Sequence, residues 1–475
     1  MTTNGFKVGS ISVIGLGKLG TPLVACCASK GFSVIGVDSN PDAVRLVDAA
    51  LPPVAEPGLK DLLSTGRDRI SATHDYRRAI LNSDITFLVV PTPSEPSGRF
   101  SARYIVEAAP HIGAALSAKE NYHLIVVVST VLPGTTDNEI RPLLESASGK
   151  RCGVDFGLCY GPEFIALGSV IRDMLNPDFV LIGESDPFAG NVLESFYRAF
   201  CDNQPPISRM TIVNAELAKI SVNSFVTMKI SFANNLSEIC EKVPGADVDV
   251  VTSALGLDSR IGRKYMKGAL GYGGPCFPRD NAAFSYMAQE VGADPTIAEA
   301  TDTVNRRQSH RLLQLVTSYL PPGGRAGVLG LSYKPDTEVI EASQAFELAW
   351  MLVERGVPTI VYDPSAMQRA KGLLGKRAVY ACSMDDCVRD ADVVVVATPW
   401  PQFREISPEL LARKPYRRVL IDCWRLLQPA RLGDSVQYIT IGNASGVPYR
   451  GVSSRPMGQH LGDNIQPLQI RLNNR

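Results

Sequence analysis

A cysteine stands four residues ahead of an aspartate, Cys276 and Asp280, at the end of a glycine-rich run, GALGYGGPCFPRD, that spans Gly268 to Asp280. A loop of this kind presents its side chains instead of packing them. A presented thiol is a nucleophile for carbonyl carbon, able to form a covalent intermediate. The chain has ten cysteines. They show neither a C-x-x-C pair nor the dense even spacing of a secreted disulfide framework, so they read as reduced thiols and no metal site is expected. Most free cysteines are small buried hydrophobes, and only Cys276 has a context that says otherwise. Upstream, Lys219 and Asn223 are four apart in helical text and share one face, with Glu216 and Thr227 extending a polar stripe along it. A solvated helix face is the plain alternative. The thiol loop that follows favours a functional one.

A second constellation, Gly15-Leu16-Gly17-Lys18-Leu19-Gly20, lies between a strand and a helix. In that setting G-x-G-x-x-G lets the backbone turn tightly and approach a pyrophosphate, whose charge then meets the helix N-terminus. Asp38 ends the next strand, where its carboxylate can accept from both ribose hydroxyls and would repel a 2′-phosphate. NAD is therefore expected over NADP. Thr92 and Ser129-Thr130 follow apolar runs as small polar residues at strand carboxyl ends, the edge along which open α/β sheets bind ligands. Each taken alone could be a simple turn, and Glu163 alone could be a solvated loop acid.

These residues must be held by elements, and the text supplies them. Ile11–Ile14, a helix at Thr21–Ser29 and Ser33–Val37 make a βαβ unit. Runs at Ile85–Val90, Ile125–Ser129 and Phe179–Ile182 continue the alternation of a parallel doubly wound sheet, giving a first domain over residues 1–206. From Thr211 to Lys242 there is no Gly or Pro, which predicts one helix of roughly 45 Å at 1.5 Å per residue. That is too long to cap one sheet, so the 207–320 region, with more helical text from Asp247 to about Asn305, is expected to be a helical spine that carries dimerisation. Pro321-Pro322-Gly323-Gly324 reads as a linker. Strands at Ala326–Leu329, Pro358–Tyr362, Asp392–Ala397 and Val419–Asp422 then predict a second, smaller Rossmann-type sheet over 321–450, followed by a polar tail at 451–475. The fold class is α/β, with two Rossmann-type sheets joined by a long-helix region.

Composition narrows the function classes. In 475 residues, Lys plus Arg and Asp plus Glu both total 48, without the basic excess of nucleic-acid binders. The apolar runs, such as Leu124–Val128 and Val393–Ala397, are strand-length and far short of the roughly 20 residues that span a bilayer. Met1–Ser10 lacks a signal-peptide core. No nucleic-acid or membrane partner is expected, and a cytoplasmic location is the default.

Taken in order, the N-terminal glycine motif, Ala55-Glu56-Pro57-Gly58-Leu59, Pro91-Thr92-Pro93, Ser129 to Thr135 (STVLPGT), Pro162-Glu163-Phe164, the Lys219/Asn223 helix, GGPCFPRD and Gly330-Leu331-Ser332-Tyr333-Lys334-Pro335 resemble the UDP-glucose/GDP-mannose dehydrogenase family over essentially the whole chain. The resemblance implies a four-electron oxidation of a nucleoside-diphosphate sugar's primary alcohol to the carboxylate with two NAD, through a thiohemiacetal and thioester on Cys276. Lys219 and Asn223 would stabilise the oxyanions, Asp280 would assist proton transfer, Glu163 would be the base for thioester hydrolysis and Thr130 would order the water. Gly15, Gly17, Lys18, Leu19, Gly20, Asp38, Thr92, Thr130 and Lys334 fall on the cofactor side. Phe164, Lys219, Asn223, Arg260, Lys267, Gly273, Tyr333 and Lys334 fall on the nucleotide-sugar side, with Arg260 reaching a neighbouring subunit of a homodimer or higher oligomer. The thiolate's pKa is expected to be lowered by nearby positive charge, with Lys219 the obvious neighbour.

The chain also departs from the family's pattern. Leu167 stands where a second glutamate is usual, Pro275 replaces a serine and Arg279 a lysine. Glu341 takes the place of a cofactor-side arginine whose bidentate donors it cannot supply. Near Asp422 the expected basic residue is displaced, by Cys423 and Trp424, to Arg425. UDP-glucose to UDP-glucuronate is the favoured reaction, with TDP-glucose, GDP-mannose and UDP-N-acetylhexosamines open. A two-electron hydroxyacid dehydrogenase would share the architecture without needing Cys276. A non-catalytic nucleotide-sugar binding protein would not need the set Cys276, Lys219, Asn223, Asp280 and Glu163.

Overall fold

The computed structural model describes residues 6–412, 417–433 and 436–444, so the expected tail at 451–475 lies outside the described residues. The first sheet is built from β1 (Ser10–Ile14), β2 (Ser33–Val37), β3 (Ile70–Thr73), β4 (Ile85–Leu88), β5 (Leu124–Val127), β6 (Gly157–Tyr160), β7 (Val180–Glu184) and β8 (Ile207–Thr211), in the order β3-β2-β1-β4-β5-β6-β7-β8. The last strand carries this sheet past Pro206. The second sheet holds β9 (Ala326–Leu329), β10 (Thr359–Tyr362), β11 (Val379–Tyr380), β12 (Val393–Val396), β13 (Arg418–Asp422) and β14 (Val436–Thr440), in the order β11-β10-β9-β12-β13-β14. Both orders reverse beside the first strand of the sheet, which opens a crevice at the strand carboxyl ends. The central strands are buried on both faces and read as continuous apolar runs such as Val393–Val396.

The second sheet is wholly parallel, but the first has one antiparallel junction, between β6 and β7. The pairing Cys159↔Glu184 and Tyr160↔Gly183 joins the carboxyl ends of both strands. The chain between them, including Glu163 and Phe164, therefore stays at the ligand edge instead of crossing a face of the sheet. From β8 the chain enters directly into the helix Ile212–Cys240, 29 residues long. Its Ile212 and Ala215 sink into the first-sheet core, so Lys219 and Asn223 stand one and two turns beyond that anchor.

The helices Val248–Leu255, Phe277–Glu290 and Thr296–Tyr319 complete the middle region. Residues 256–276, expected within helical text, are turns and loop. Gly256, Gly262, Gly268, Gly271, Gly273, Gly274 and Pro275 outweigh the local helical period there, because each glycine weakens a helix interior by about 1 kcal/mol and proline by about 3. Among the described residues no helix is long and apolar enough to cross a membrane.

The turn after β1 separates two glycines by what surrounds them. A Cβ at Gly20 would sit 1.7 Å from the Gly15 carbonyl oxygen, whereas one at Gly17 would meet no atom within 4 Å. Gly20→Ala is therefore expected to cost about 3 kcal/mol or more in stability. Gly17→Ala should leave the thermal midpoint unchanged while weakening NAD+ affinity by about tenfold, because its methyl enters the space a pyrophosphate needs. Thermal melts with NAD+ titration check both, and a Gly17→Ala chain with native affinity removes the ligand from that space.

Candidate active site

The loop at the carboxyl edge of β1 and β2 is closed by Asp38. Its Oδ2 accepts from the Leu16 N–H at 2.6 Å and its Oδ1 from the Asn40 N–H at 2.8 Å. Each oxygen keeps a further lone pair, and the side chain is only half-buried, so the carboxylate can still accept from ribose hydroxyls. With the open face of Gly17, this edge fits a dinucleotide. The second sheet has the same turn, with Asp363 in the place of Asp38, and there the carboxylate is spent. Asp363 is 1% exposed. Its Oδ2 accepts from the Leu331 and Ser332 N–H groups, Ser332 Oγ and Trp400 Nε1 at 2.7–3.2 Å, and its Oδ1 from the Ser365 and Ala366 N–H groups at 2.8 and 2.7 Å. Of these two acids, only Asp38 keeps the capacity to read a ribose.

Between the sheets, Lys219 is the hub. Its side chain is buried, with Nζ donating to the Glu163 carbonyl at 2.6 Å and lying 4.4 Å from the centre of the Phe164 ring. Burial pushes its pKa down, and the charges of Asp280, Cys276 and Glu163 pull it back up. One turn along, Asn223 Nδ2 donates to Asp280 Oδ2 at 2.5 Å. Asp280 is 1% exposed, and Arg279 Nε approaches its other oxygen at 3.4 Å. Arg279 also donates to the Thr92 carbonyl at 3.2 Å and stacks 4.7 Å over Phe100. The position that is usually lysine thereby ties the thiol helix to the carboxyl end of β4, using the planar fork that a lysine lacks. Glu216 and Thr227 are buried, not solvated. Glu216 accepts from the Gly134 and Thr136 N–H groups at 2.6 and 2.9 Å, holding the segment that follows Thr130.

Cys276 is the residue from which the helix Phe277–Glu290 starts, and it keeps an exposed edge. The expected lowering of its pKa is not met: the surrounding protein raises it through partial desolvation and the Asp280 carboxylate, against smaller lowering by Arg279 and Lys219. Lys219 is the neighbour foreseen, but its charge is outweighed. Glu341 adds to the rise. Tyr333 closes the other side, its ring 2.6 Å from where a Gly274 Cβ would lie, at a φ of +82° that already favours glycine. A Gly273 Cβ would fall 2.2 Å from the Ala342 carbonyl oxygen. The thiol loop is thus clamped against the third domain.

Glu163 is pushed up to about 7, first by burial, against Lys219 and a hydrogen bond from Tyr197. Such a carboxyl changes charge near neutral pH, as a general base needs. Tyr197 was not legible as a partner, since nothing in the text of the Pro187–Phe200 helix separates it from core aromatics. Lys334 lies apart from the thiol, where the second sheet faces the first. Burial lowers its pKa, while Asp173 and Glu56 of the first domain raise it. Glu56 itself accepts from the Gly168 and Val170 N–H groups at 3.0 and 2.7 Å, and Leu167 packs into the first-domain core instead of offering an acid. Lys18 and Leu19 sit on the glycine turn, and Thr130 follows β5 at the same edge.

Arg260 and Lys267 are not brought to this cluster within one chain. Arg260 is 86% exposed and paired with its own Asp258 at 2.6 Å, and Lys267 is exposed. Arg425, the displaced basic residue, forks onto Asp249 at 2.6 and 2.8 Å and donates to the Gly268 and Ile441 carbonyls. It ties the base of the thiol loop to the second sheet.

Comparison with known proteins agrees with this arrangement. Residues 9–201 match the NAD binding domain of the UDP-glucose/GDP-mannose dehydrogenase family, 213–307 its central domain and 327–429 its UDP binding domain. The chain is 37% identical over 421 residues to the UDP-glucose 6-dehydrogenase AglM of Haloferax volcanii, covering 88% of this chain and 97% of that one. It is 33% identical over 426 residues to the GDP-mannose 6-dehydrogenase of Pseudomonas aeruginosa, covering 87% and 95%. A solved UDP-glucose dehydrogenase from Pyrobaculum islandicum superposes with a TM-score of 0.83 at 34% identity, covering 94% of this chain and 100% of that one. With an NAD-binding first sheet, a thiol and buried lysine between the sheets, and this agreement across all three parts, the chain belongs to the UDP-glucose/GDP-mannose dehydrogenase family of NAD-dependent nucleotide-sugar dehydrogenases.

Proposed function

We propose that this chain oxidises UDP-glucose to UDP-glucuronate in four electrons, with Cys276 as covalent nucleophile. The observation that carries the chemistry is the convergence of Cys276, Lys219, Asn223 and Asp280 on one half-closed site. The uridine and glucose assignment rests on similarity to the Haloferax and Pyrobaculum enzymes named for that substrate. The Gly15–Gly20 turn and Asp38 would hold NAD+, which would supply the hydride acceptor for each oxidation. Lys219 and Asn223 hold the sugar oxygen as the alcohol loses its proton and hydride and becomes an aldehyde. Cys276 Sγ then adds to the carbonyl carbon, its proton passing toward Asp280, and Lys219 neutralises the resulting oxyanion. Loss of the second hydride leaves a thioester. Glu163 takes a proton from the attacking water, the carbon–sulfur bond breaks and the thiol is restored. The balance is one alcohol, two NAD+ and one water to one carboxylate, two NADH and three protons.

The oligomer is proposed from a stripe on the long helix. Phe225, Phe232 and Ile239, seven apart, are 59%, 51% and 49% exposed. Lys229 Nζ holds the Ile261 carbonyl at 3.0 Å, which brings the Arg260 loop beside that stripe. A second copy covering the stripe would receive Arg260 near its own site.

Limiting UDP-glucose should yield two NADH per sugar, ahead of TDP-glucose, GDP-mannose and UDP-N-acetylglucosamine, and Cys276→Ser should form no acid. One NADH from every sugar removes the thioester route, while two from GDP-mannose alone reassigns the substrate. Because Glu163 must be ionised to act and its pKa is about 7, turnover should fall with pH below that value, toward about tenfold per unit. Glu163→Gln should lose about a hundredfold or more and accumulate an acylated Cys276 peptide by mass spectrometry; an unaltered pH limb assigns the base elsewhere. Phe225→Asp with Phe232→Asp should sediment as a monomer and raise the KM for the nucleotide sugar. A wild-type monomer with full activity at micromolar concentration sinks the shared-site idea.

A further inference from the structure

The segment that delivers Cys276 is held chiefly by side chains acting as peptide groups. Asn234, on the long helix, accepts from the Ala269 N–H at 2.9 Å and donates to the Leu270 carbonyl at 3.1 Å. Asn305, on Thr296–Tyr319, accepts from the Tyr272 N–H at 2.8 Å and donates to the Tyr272 carbonyl at 3.0 Å. Gln344 accepts from the Gly271 N–H at 2.6 Å and donates to the Asn305 carbonyl at 2.9 Å. All three amides are buried, where each is more costly to unpair than to make.

Gln344 differs from the other two in what it belongs to. It is the first residue of the helix Gln344–Glu354, which packs in the core of the second sheet. Its amide thus links the nucleotide-binding domain directly to Gly271, five residues before the thiol, and separately to the Asn305 carbonyl of the middle region. Gly273 and Gly274 lie against Ala342 and Tyr333 of the same domain, so a shift of that domain moves the loop as a unit.

We infer that Gln344 is a positioning residue that couples the third domain to Cys276 and acts on the second oxidation rather than the first. The inference rests on the covalent reading proposed above. Converting alcohol to aldehyde requires the sugar, Lys219 and Asn223 but not sulfur. Capturing the aldehyde requires Sγ to be in place before it departs. Releasing the loop from Gln344 therefore leaves the first hydride transfer intact and lets the aldehyde escape.

The test uses the full chain with UDP-glucose and NAD+, the wild type first. Gln344→Met keeps length and bulk without either hydrogen bond. It is expected to hold the KM for UDP-glucose within about twofold while the yield falls from two NADH per sugar toward one. The missing aldehyde should be captured by semicarbazide, and the rate of Cys276 alkylation by iodoacetamide should change about tenfold. Gln344→Glu retains the acceptor for Gly271 but not the donor to Asn305, so its yield should fall between, and it carries the test alone if the methionine variant does not fold. A wild type yielding one NADH overturns the covalent reading and this inference with it. A wild type yielding two, with both variants also at two and alkylated at the wild-type rate, overturns the inference alone.

Discussion

A buried ammonium organises this molecule. Lys219 cannot remain charged away from water unless other groups replace its hydration, and they come from two separate stretches of chain. The Glu163 carbonyl and Phe164 ring come from the overhang after β6, and the field of Asp280 comes from the thiol helix. The antiparallel β6–β7 junction matters because it keeps the first of these at the ligand edge. Arg279, reaching to the Thr92 carbonyl, secures the last. The lysine's requirement for partners and the reaction's requirement for fixed donors are met by one arrangement, which costs no reorganisation when charge develops on a substrate oxygen.

The two sheets show how one turn can be put to different uses. At the turn after β1, Asp38 just past the end of β2 keeps a lone pair on each oxygen, and Gly17 leaves a vacant approach. At the turn after β9, the corresponding acid Asp363 just past the end of β10 is saturated by six donors, Trp400 Nε1 among them. A saturated buried carboxylate stiffens its loop but cannot read a ligand hydroxyl. The second sheet is left to work through its edge, where Tyr333 and Lys334 face the thiol loop and the first domain.

Much of this was legible in the residues. Strand runs at Ser33–Val37 and Ala326–Leu329 and the long helix follow from local period and from absent breakers, which act over a few residues. The residues of the candidate site stood out in the sequence because their types are costly in place: a presented thiol, a lysine and asparagine four apart, an acid in an apolar run. What was not legible depends on contacts distant in sequence. The β6–β7 reversal is a choice of pairing, the burial of Glu216 depends on a loop 80 residues away, and the Gln344 link joins residues 73 apart. The upward shift of the Cys276 thiol was missed for the same reason, because a list of nearby charges carries no measure of desolvation.

That thiol deserves its physical reading. Partial desolvation, Asp280 and Glu341 all act to raise the pKa of Cys276. Since the thiolate is the nucleophile, the chain with its cleft open is poorly reactive toward electrophiles in general. In the proposed mechanism, addition to a bound aldehyde would not require a free thiolate beforehand if the proton left as the bond formed, and Asp280, fixed by Asn223 at 2.5 Å, would be its acceptor. Exchange of a family arginine for Glu341 then has a consequence of definite sign. It moves the sulfur further from ionisation, against the opposing charge of Lys219, and in the proposed mechanism that lysine would act most strongly once a substrate excluded water from the cleft.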